Sequence, residues 1–285
     1  MRTRTLALLL TVLGLLAGAV PAAAAGADGA APGGSAVARA SDAAPDATAA
    51  PSDGDAEDDG EEAVDEPAPP LRVAPPSRAK GATVARIVAS SFARTSLDGP
   101  RKGRKVGTST AWSKQSQVLL VLDAATRDGV EWVKLLLPVR PNGTTGWVPR
   151  DNVALSRTPY WVDVALRART VTVYRGGKRV LRTRAVVGAP RTPTPLGLAA
   201  IYERNRQPDP RAFLGPWALS LTSLSTVLES YGGGPGRVAI HGRAGTSFRD
   251  PLGSARSHGC IRIDNGPVSW MAKRLPQGTP VMTVR

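Results

Sequence analysis

Val238-Ala239-Ile240-His241-Gly242, followed after a gap by Ser257-His258-Gly259-Cys260-Ile261-Arg262-Ile263, is the stretch from which the rest of the chain is read. The chain has 285 residues with two histidines and one cysteine, and all three fall between positions 241 and 260. Scattered core residues seldom cluster so tightly, so the stretch reads as a site. A free thiol titrates near pH 8.5, and a neighbouring imidazole that takes its proton makes sulfur a strong nucleophile. If Gly259 to Ile263 form a strand, His258 and Cys260 share a face. His241 ends an apolar run that can lie beside it. On spacing alone, either imidazole serves as the base. Gly259 lets the backbone turn sharply before Cys260 and aim successive N–H groups at one point, as an oxyanion requires. Arg262, two residues on, is placed to bind a substrate carboxylate bidentately. Two imidazoles and a thiolate also make a three-ligand zinc set with an open position, but Asp250 is the only acidic residue between the histidines. The residues therefore favour nucleophilic chemistry without metal or cofactor.

Working outward, the chain from about 160 to 285 is β-rich. Tyr160-Trp161-Val162-Asp163-Val164 alternates. Val171 and Val173 lead through Gly176-Gly177 into Arg179-Val180-Leu181, which predicts a hairpin. Leu198 to Tyr202 and Val238 to Ile240 predict further strands. Asp264-Asn265 followed by Gly266-Pro267 predict a helix start, Gln277-Gly278 its end, and Pro280 to Val284 a last strand. Residues 80–156 read as a small antiparallel barrel. Short apolar runs at 83–88, 118–122 and 131–137 are separated by Asp98-Gly99-Pro100, Asp128-Gly129 and Asn142-Gly143. The fold expected is mainly β, with two β-rich parts and one short C-terminal helix.

The N-terminal third is different in kind. Arg2 and Arg4, an apolar stretch from Leu6 to Val20, and small residues at 21–25 predict a secretory signal peptide over 1–25 rather than a membrane span. No membrane anchor is expected after its cleavage. Residues 26–76 carry 12 Asp and Glu against Arg39 and Arg72, with no apolar periodicity. That composition predicts a disordered acidic linker. The body from 77 to 285 has 33 Lys and Arg against 11 Asp and Glu, within a net charge of +14. A basic body suits an anionic polymer such as a cell wall. Nucleic acid is disfavoured, because no basic run is interleaved with aromatics.

His241-Gly242, fifteen intervening residues and Ser257-His258-Gly259-Cys260 resemble the signature of the L,D-transpeptidase catalytic domain, the YkuD-like family. The segment Gly188 to Gly197, with Thr192-Pro193 and Thr194-Pro195, resembles that family's Gly…Thr-Pro-x-Gly stretch, with Pro195-Leu196 where one residue is usual. The resemblance covers 160–285. It implies Cys260 as nucleophile and His241, rather than His258, as base. Ser257, His258 and Gly259 match residues that line the site and help build the oxyanion hole. Arg262 stands where many members carry Asn. Trp217 and Tyr202 are candidate walls of the substrate groove, or core residues. Over 80–156, the ending Gly146-Trp147-Val148-Pro149 is similar to bacterial SH3-like domains, which bind cell wall or position a partner domain.

The resemblance implies acyl transfer on peptidoglycan. Cys260 would attack the diaminopimelate–D-Ala bond of a tetrapeptide stem and release D-Ala. The thioester would then pass to an amine, that of a second stem or of a wall-linked protein, without a cofactor and outside the cytoplasm. A sortase-like peptidase and a protein that only adheres to the wall are the competing readings.

Overall fold

The computed structural model describes residues 70–99, 102–231 and 234–285. The expected signal peptide and the linker up to residue 69 lie outside them. No helix among the described residues is long and apolar enough to cross a membrane. The described residues are mainly β with one α-helix, as the sequence predicts.

The first part is a seven-stranded sheet of β1 (Ala82–Ile87), β2 (Ser91–Arg94), β3 (Gly103–Val106), β4 (Val118–Arg127), β5 (Val130–Leu136), β6 (Thr145–Pro149) and β7 (Val153–Thr158). Its order is β3-β2-β6-β5-β4-β1-β7, and every pairing is antiparallel. Ala85, Ala93, Val106, Leu119, Val133, Val148 and Val153, one from each strand, meet in a single core, so the sheet is rolled around its own apolar face. Leu71 and Val73 also pack on this core, and Leu71 N–H donates to Glu131 Oε1 (2.8 Å). Residues 70–76, read from sequence as the end of the linker, thus lie against the sheet.

The second part is an eight-stranded mixed sheet ordered β10-β9-β8-β17-β12-β13-β14-β16. Its strands are β8 (Tyr160–Ala165), β9 (Thr170–Arg175), β10 (Lys178–Arg184), β12 (Gly197–Arg206), β13 (Trp217–Leu224), β14 (Arg237–His241), β16 (Ile261–Arg262) and β17 (Pro280–Val284). The β11 (Val187–Gly188) and β15 (Ala255–Ser257) strands form a small parallel pair beside it. The β9–β10 hairpin turns through Gly176 and Gly177 at φ 54° and 80°, the two positive values that a tight two-residue turn demands. The helix α1 (Asn265–Arg274) buries Val268, Met271 and Ala272, spaced as one helical face, in the core beneath the sheet. Asp264 precedes it but makes no side-chain cap; its carboxylate pairs with Arg243 instead (3.4 Å).

One strand serves both parts. Along β12 successive side chains point to opposite faces. Ala199 and Ile201 enter the core of the second sheet, while Ala200 meets Ala82, Leu120 and Leu136 of the first. A register shift between Ile201 and Glu203 is a bulge that turns Tyr202 and Glu203 together toward the first sheet. Tyr202 packs in the first sheet's core, accepts from Ala111 N–H (3.0 Å) and donates to Gln117 Oε1 (3.1 Å). The same double burial explains why Val118-Leu119-Leu120-Val121 is wholly apolar instead of alternating. Leu119 and Val121 face one core, and Leu120 faces β12. Burial alone would raise the Glu203 pKa. Hydrogen bonds from Thr110, Ser113 and Trp112 outweigh it and hold the carboxyl below its usual range, so a buried charge sits satisfied between the two sheets.

Candidate active site

His241 is the last residue of β14, and Cys260 immediately precedes β16. These strands run parallel, with Ile240 opposite Ile261 and His241 opposite Arg262, and Ile263 N–H donates to His241 O (2.9 Å). The pairing brings the histidine and cysteine, nineteen positions apart in sequence, to the same end of neighbouring strands. Both line one cleft, with Phe213, Leu214, Ser225, Leu228, Tyr231 and Arg262 among its walls.

His241 is 1 % exposed. Burial lowers its pKa to about 4; the carbonyls of Gly242 and Leu214 oppose the shift and Arg262 adds to it. Its Nδ1 lies 2.7 Å from Gly242 O. A carbonyl can only accept, so Nδ1 carries the proton of the neutral ring and Nε2 keeps a lone pair. The ring packs against Phe213 at 5.9 Å between centroids. Cys260 is half-buried in the cleft. Burial raises its thiol pKa, opposed by a backbone hydrogen bond at Ala239 and by the Arg262 charge. The ground state is therefore neutral imidazole beside neutral thiol, not a preformed ion pair.

The turn that presents Cys260 is built by hydroxyls. Gly259 has φ 111°, a conformation that side-chain-bearing residues rarely adopt. Ser257 Oγ donates to Cys260 O (2.5 Å) and accepts from Gly259 N–H (3.1 Å), closing the turn on itself. Thr194 Oγ1 donates to Gly259 O (2.8 Å) and accepts from Gly188 N–H (2.9 Å). Thr192 Oγ1 donates to Ser257 O (3.1 Å). Thr192 and Thr194 are the positioning residues that sequence reasoning quoted without giving them a role. Their signal was the repeated Thr-Pro pattern, which seats each hydroxyl on the turn.

Three sequence-based expectations change. Residues 259 and 260 lie outside β16, and the positive φ of Gly259 breaks strand alternation, so His258 and Cys260 do not share a face by that route. His258 is exposed at the cleft mouth. Gly259 N–H is engaged by Ser257. Arg262 is largely committed within the protein. Its guanidinium is 4.8 Å from the Phe213 ring and its Nη1 pairs with Asp250 Oδ2 (2.5 Å), which leaves buried Nε without a partner. Tyr202 faces the first sheet, not the cleft, while Trp217 packs partly buried on the second core. Among the described residues, no three His, Cys, Asp or Glu side chains come together as metal ligands.

Residues 159–282 match the family model YkuD, described as the L,D-transpeptidase catalytic domain. YkuD of Bacillus licheniformis is 36 % identical over 123 residues, 43 % of this chain and 64 % of that one; its name assigns it L,D-transpeptidase activity provisionally. YkuD of Bacillus subtilis, named likewise, is 36 % identical over 124 residues, 43 % of this chain and 65 % of its own. The chain thus spans just under two thirds of the length of these curated relatives. A solved L,D-transpeptidase from Mycobacterium smegmatis aligns with 72 % of this chain and 99 % of its own at 16 % identity, TM-score 0.37. The cleft that holds His241 and Cys260 lies inside the segment that matches the YkuD model of L,D-transpeptidase catalytic domains.

Proposed function

We propose that the chain is a peptidoglycan L,D-transpeptidase that works outside the cytoplasm, with Cys260 as nucleophile and His241 as base. The observation that carries this reading is that Cys260 and His241 line one cleft, within the family-matched segment. Cys260 Sγ attacks the carbonyl of the diaminopimelate–D-Ala bond as His241 Nε2 takes the thiol proton. Negative charge gathers on the former carbonyl oxygen, where the backbone N–H groups of His258 and Cys260 are the candidate donors. Collapse breaks the C–N bond, and His241 returns the proton to the departing D-Ala amine. An acceptor amine then attacks the thioester, loses its proton to His241, and leaves a new amide and the free thiol.

Transferring the proton during attack suits the neutral ground state. A buried thiolate–imidazolium pair would have to offset the desolvation of two charges. The seven-stranded sheet, which we read as SH3-like, would position the catalytic cleft. The test is intact mass of residues 70–285 after incubation with a tetrapeptide stem, beside Cys260→Ala. An added stem-tripeptide acyl group, absent in the variant, supports the reading. Equal binding by both proteins with neither adduct nor D-Ala release would replace it with simple wall adhesion.

A further inference from the structure

The cleft over Cys260 is walled on one side by Ser225, Leu228 and Tyr231, in the segment that follows β13. Beyond buried Leu224 and Ser225, this segment has little packing of its own. Val227 and Tyr231 are each 52 % exposed, and Ser225 Oγ supplies local bonds only to Val227 and Leu228 N–H. Its own sheet holds it by backbone bonds at the two ends, from Ser225 N–H to Gly236 O (2.8 Å) and between Tyr231 and Gly234, and the side-chain tether comes from the other sheet. In the β5–β6 connection, Arg140 Nη2 donates to Ser225 O (3.1 Å) and to Leu228 O (2.9 Å), and Nη1 donates to Pro235 O (3.0 Å). Two residues on, Asn142 Nδ2 donates to Leu224 O (2.8 Å) while its Oδ1 accepts from Leu224 N–H (2.8 Å). Arg237 answers from the cleft side, donating to Pro138 O (3.1 Å).

A segment with few buried contacts and exposed backbone opens at low free-energy cost unless something outside it fixes it. Here two of the three carbonyls that Arg140 holds belong to residues that line the cleft. We propose that Arg140 and Asn142, both in the N-terminal sheet, are positioning residues of the catalytic site: they clamp the 224–231 segment and so set the width of the groove that receives the donor peptide. The two sheets then form one catalytic unit. The proposal rests on the cleft's being the donor-binding site, and its test includes readouts that do not.

The full chain would be compared with Arg140→Ala, Asn142→Asp and, as a control, Arg127→Ala, whose guanidinium pairs only with exposed Asp98. Asn142→Asp keeps the acceptor for Leu224 N–H and loses the donor to Leu224 O. Amide exchange within 224–231 should quicken by about tenfold in Arg140→Ala, which loses three hydrogen bonds of modest net strength each. It should stay unchanged in the control. Iodoacetamide alkylation of Cys260 should change severalfold in the same variants. For tetrapeptide turnover, KM should rise by about tenfold with kcat held within about threefold, because a groove wall acts on binding more than on the reacting atoms. If Arg140→Ala loses its near-ultraviolet dichroism, Arg140→Lys carries the same measurements with partial loss of the clamp. Unchanged exchange at 224–231 in a folded variant, or an equal fall in kcat with KM constant, overturns the proposal. If the wild type turns over no tetrapeptide, the transpeptidase reading fails, while exchange and alkylation still decide the clamp.

Discussion

The buried, neutral state of His241 has a consequence that can be measured in the resting protein. With a pKa of about 4, roughly one ring in a thousand is charged at pH 7, against about a quarter at the ordinary histidine value of about 6.5. The unfolded chain regains the ordinary value, so between pH 6.5 and 4 it binds more protons than the folded protein. Stability contributed by neutral His241 is therefore complete above pH 6.5 and is lost as pH falls through 4. Between pH 7.5 and 4.5 the loss is on the order of 2–3 kcal/mol from this ring alone. The His258→Gln variant leaves one histidine, so the proton resonances of the His241 ring can be followed without ambiguity. They should stay at their neutral positions down to pH 5 and move only near 4. Urea unfolding at the two pH values should show the extra loss in His258→Gln and not when His241 is also replaced by Gln. An imidazole titrating at or above pH 6, or a difference in pH sensitivity below about 0.5 kcal/mol, would refute the argument that burial keeps the base free at neutral pH.

Asp250→Ala removes the carboxylate partner of a guanidinium that is only 5 % exposed. Leaving that charge unpaired should cost about 3–5 kcal/mol, visible as a lower urea midpoint. Gly259→Ala forces a side chain onto φ 111°, where a strained residue costs about 1–3 kcal/mol. The turn should relax by moving Cys260, so acylation should fall by about a hundredfold while Tm shifts by only a few degrees, read by mass spectrometry and calorimetry. A fragment of residues 160–285 would expose Ala200, Tyr202 and the Glu203 carboxylate, all buried by the first sheet. It should bind a hydrophobic dye and aggregate where 70–285 does not, as followed by light scattering.

Much of the fold is legible where local chemistry is enough. Gly176-Gly177 marks its hairpin, and the helix follows from its polar start and the spacing of Val268, Met271 and Ala272. β2 and β3 were missed because Ser91–Arg94 and Gly103–Val106 are short, with one buried residue each. β13 is not evident from the sequence, although Gly215-Pro216 marks its start, because Ser220, Thr222 and Ser223 break up the apolar pattern of Trp217–Leu224. At the candidate site, that Cys260 and His241 would meet is legible because the residue types are rare in this chain and closely spaced, and the structure does bring both to one cleft. The relation of His258 to Cys260 is not legible, since one glycine dihedral decides it. Nor are the contacts of Arg140 and Asn142, which join residues more than 80 positions apart through backbone carbonyls, leaving no trace in side-chain pattern.

The boundary near residue 158 divides the sequence more cleanly than it divides the physics. A linker between independent domains leaves an interface that is polar and modest in area. Here the facing residues Ala82, Leu120, Leu136 and Ala200 are nearly inaccessible, and Tyr202 from the second sheet completes the first sheet's core. Polar groups at the same junction are matched in kind. Glu203 accepts from two backbone N–H groups and a hydroxyl, and Asn142 uses both ends of its amide on one residue. A junction that combines apolar burial with satisfied buried polar groups resists sliding, because any shift breaks hydrogen bonds that water cannot replace at once. It therefore transmits position. The bulge at Tyr202, which breaks the regular register of β12, allows one strand to be read by both cores. β13, paired along that same strand, leads directly into the segment that walls Cys260. If the clamp acts as proposed, the width of the cleft over Cys260 follows the packing of a sheet from which no residue lines that cleft.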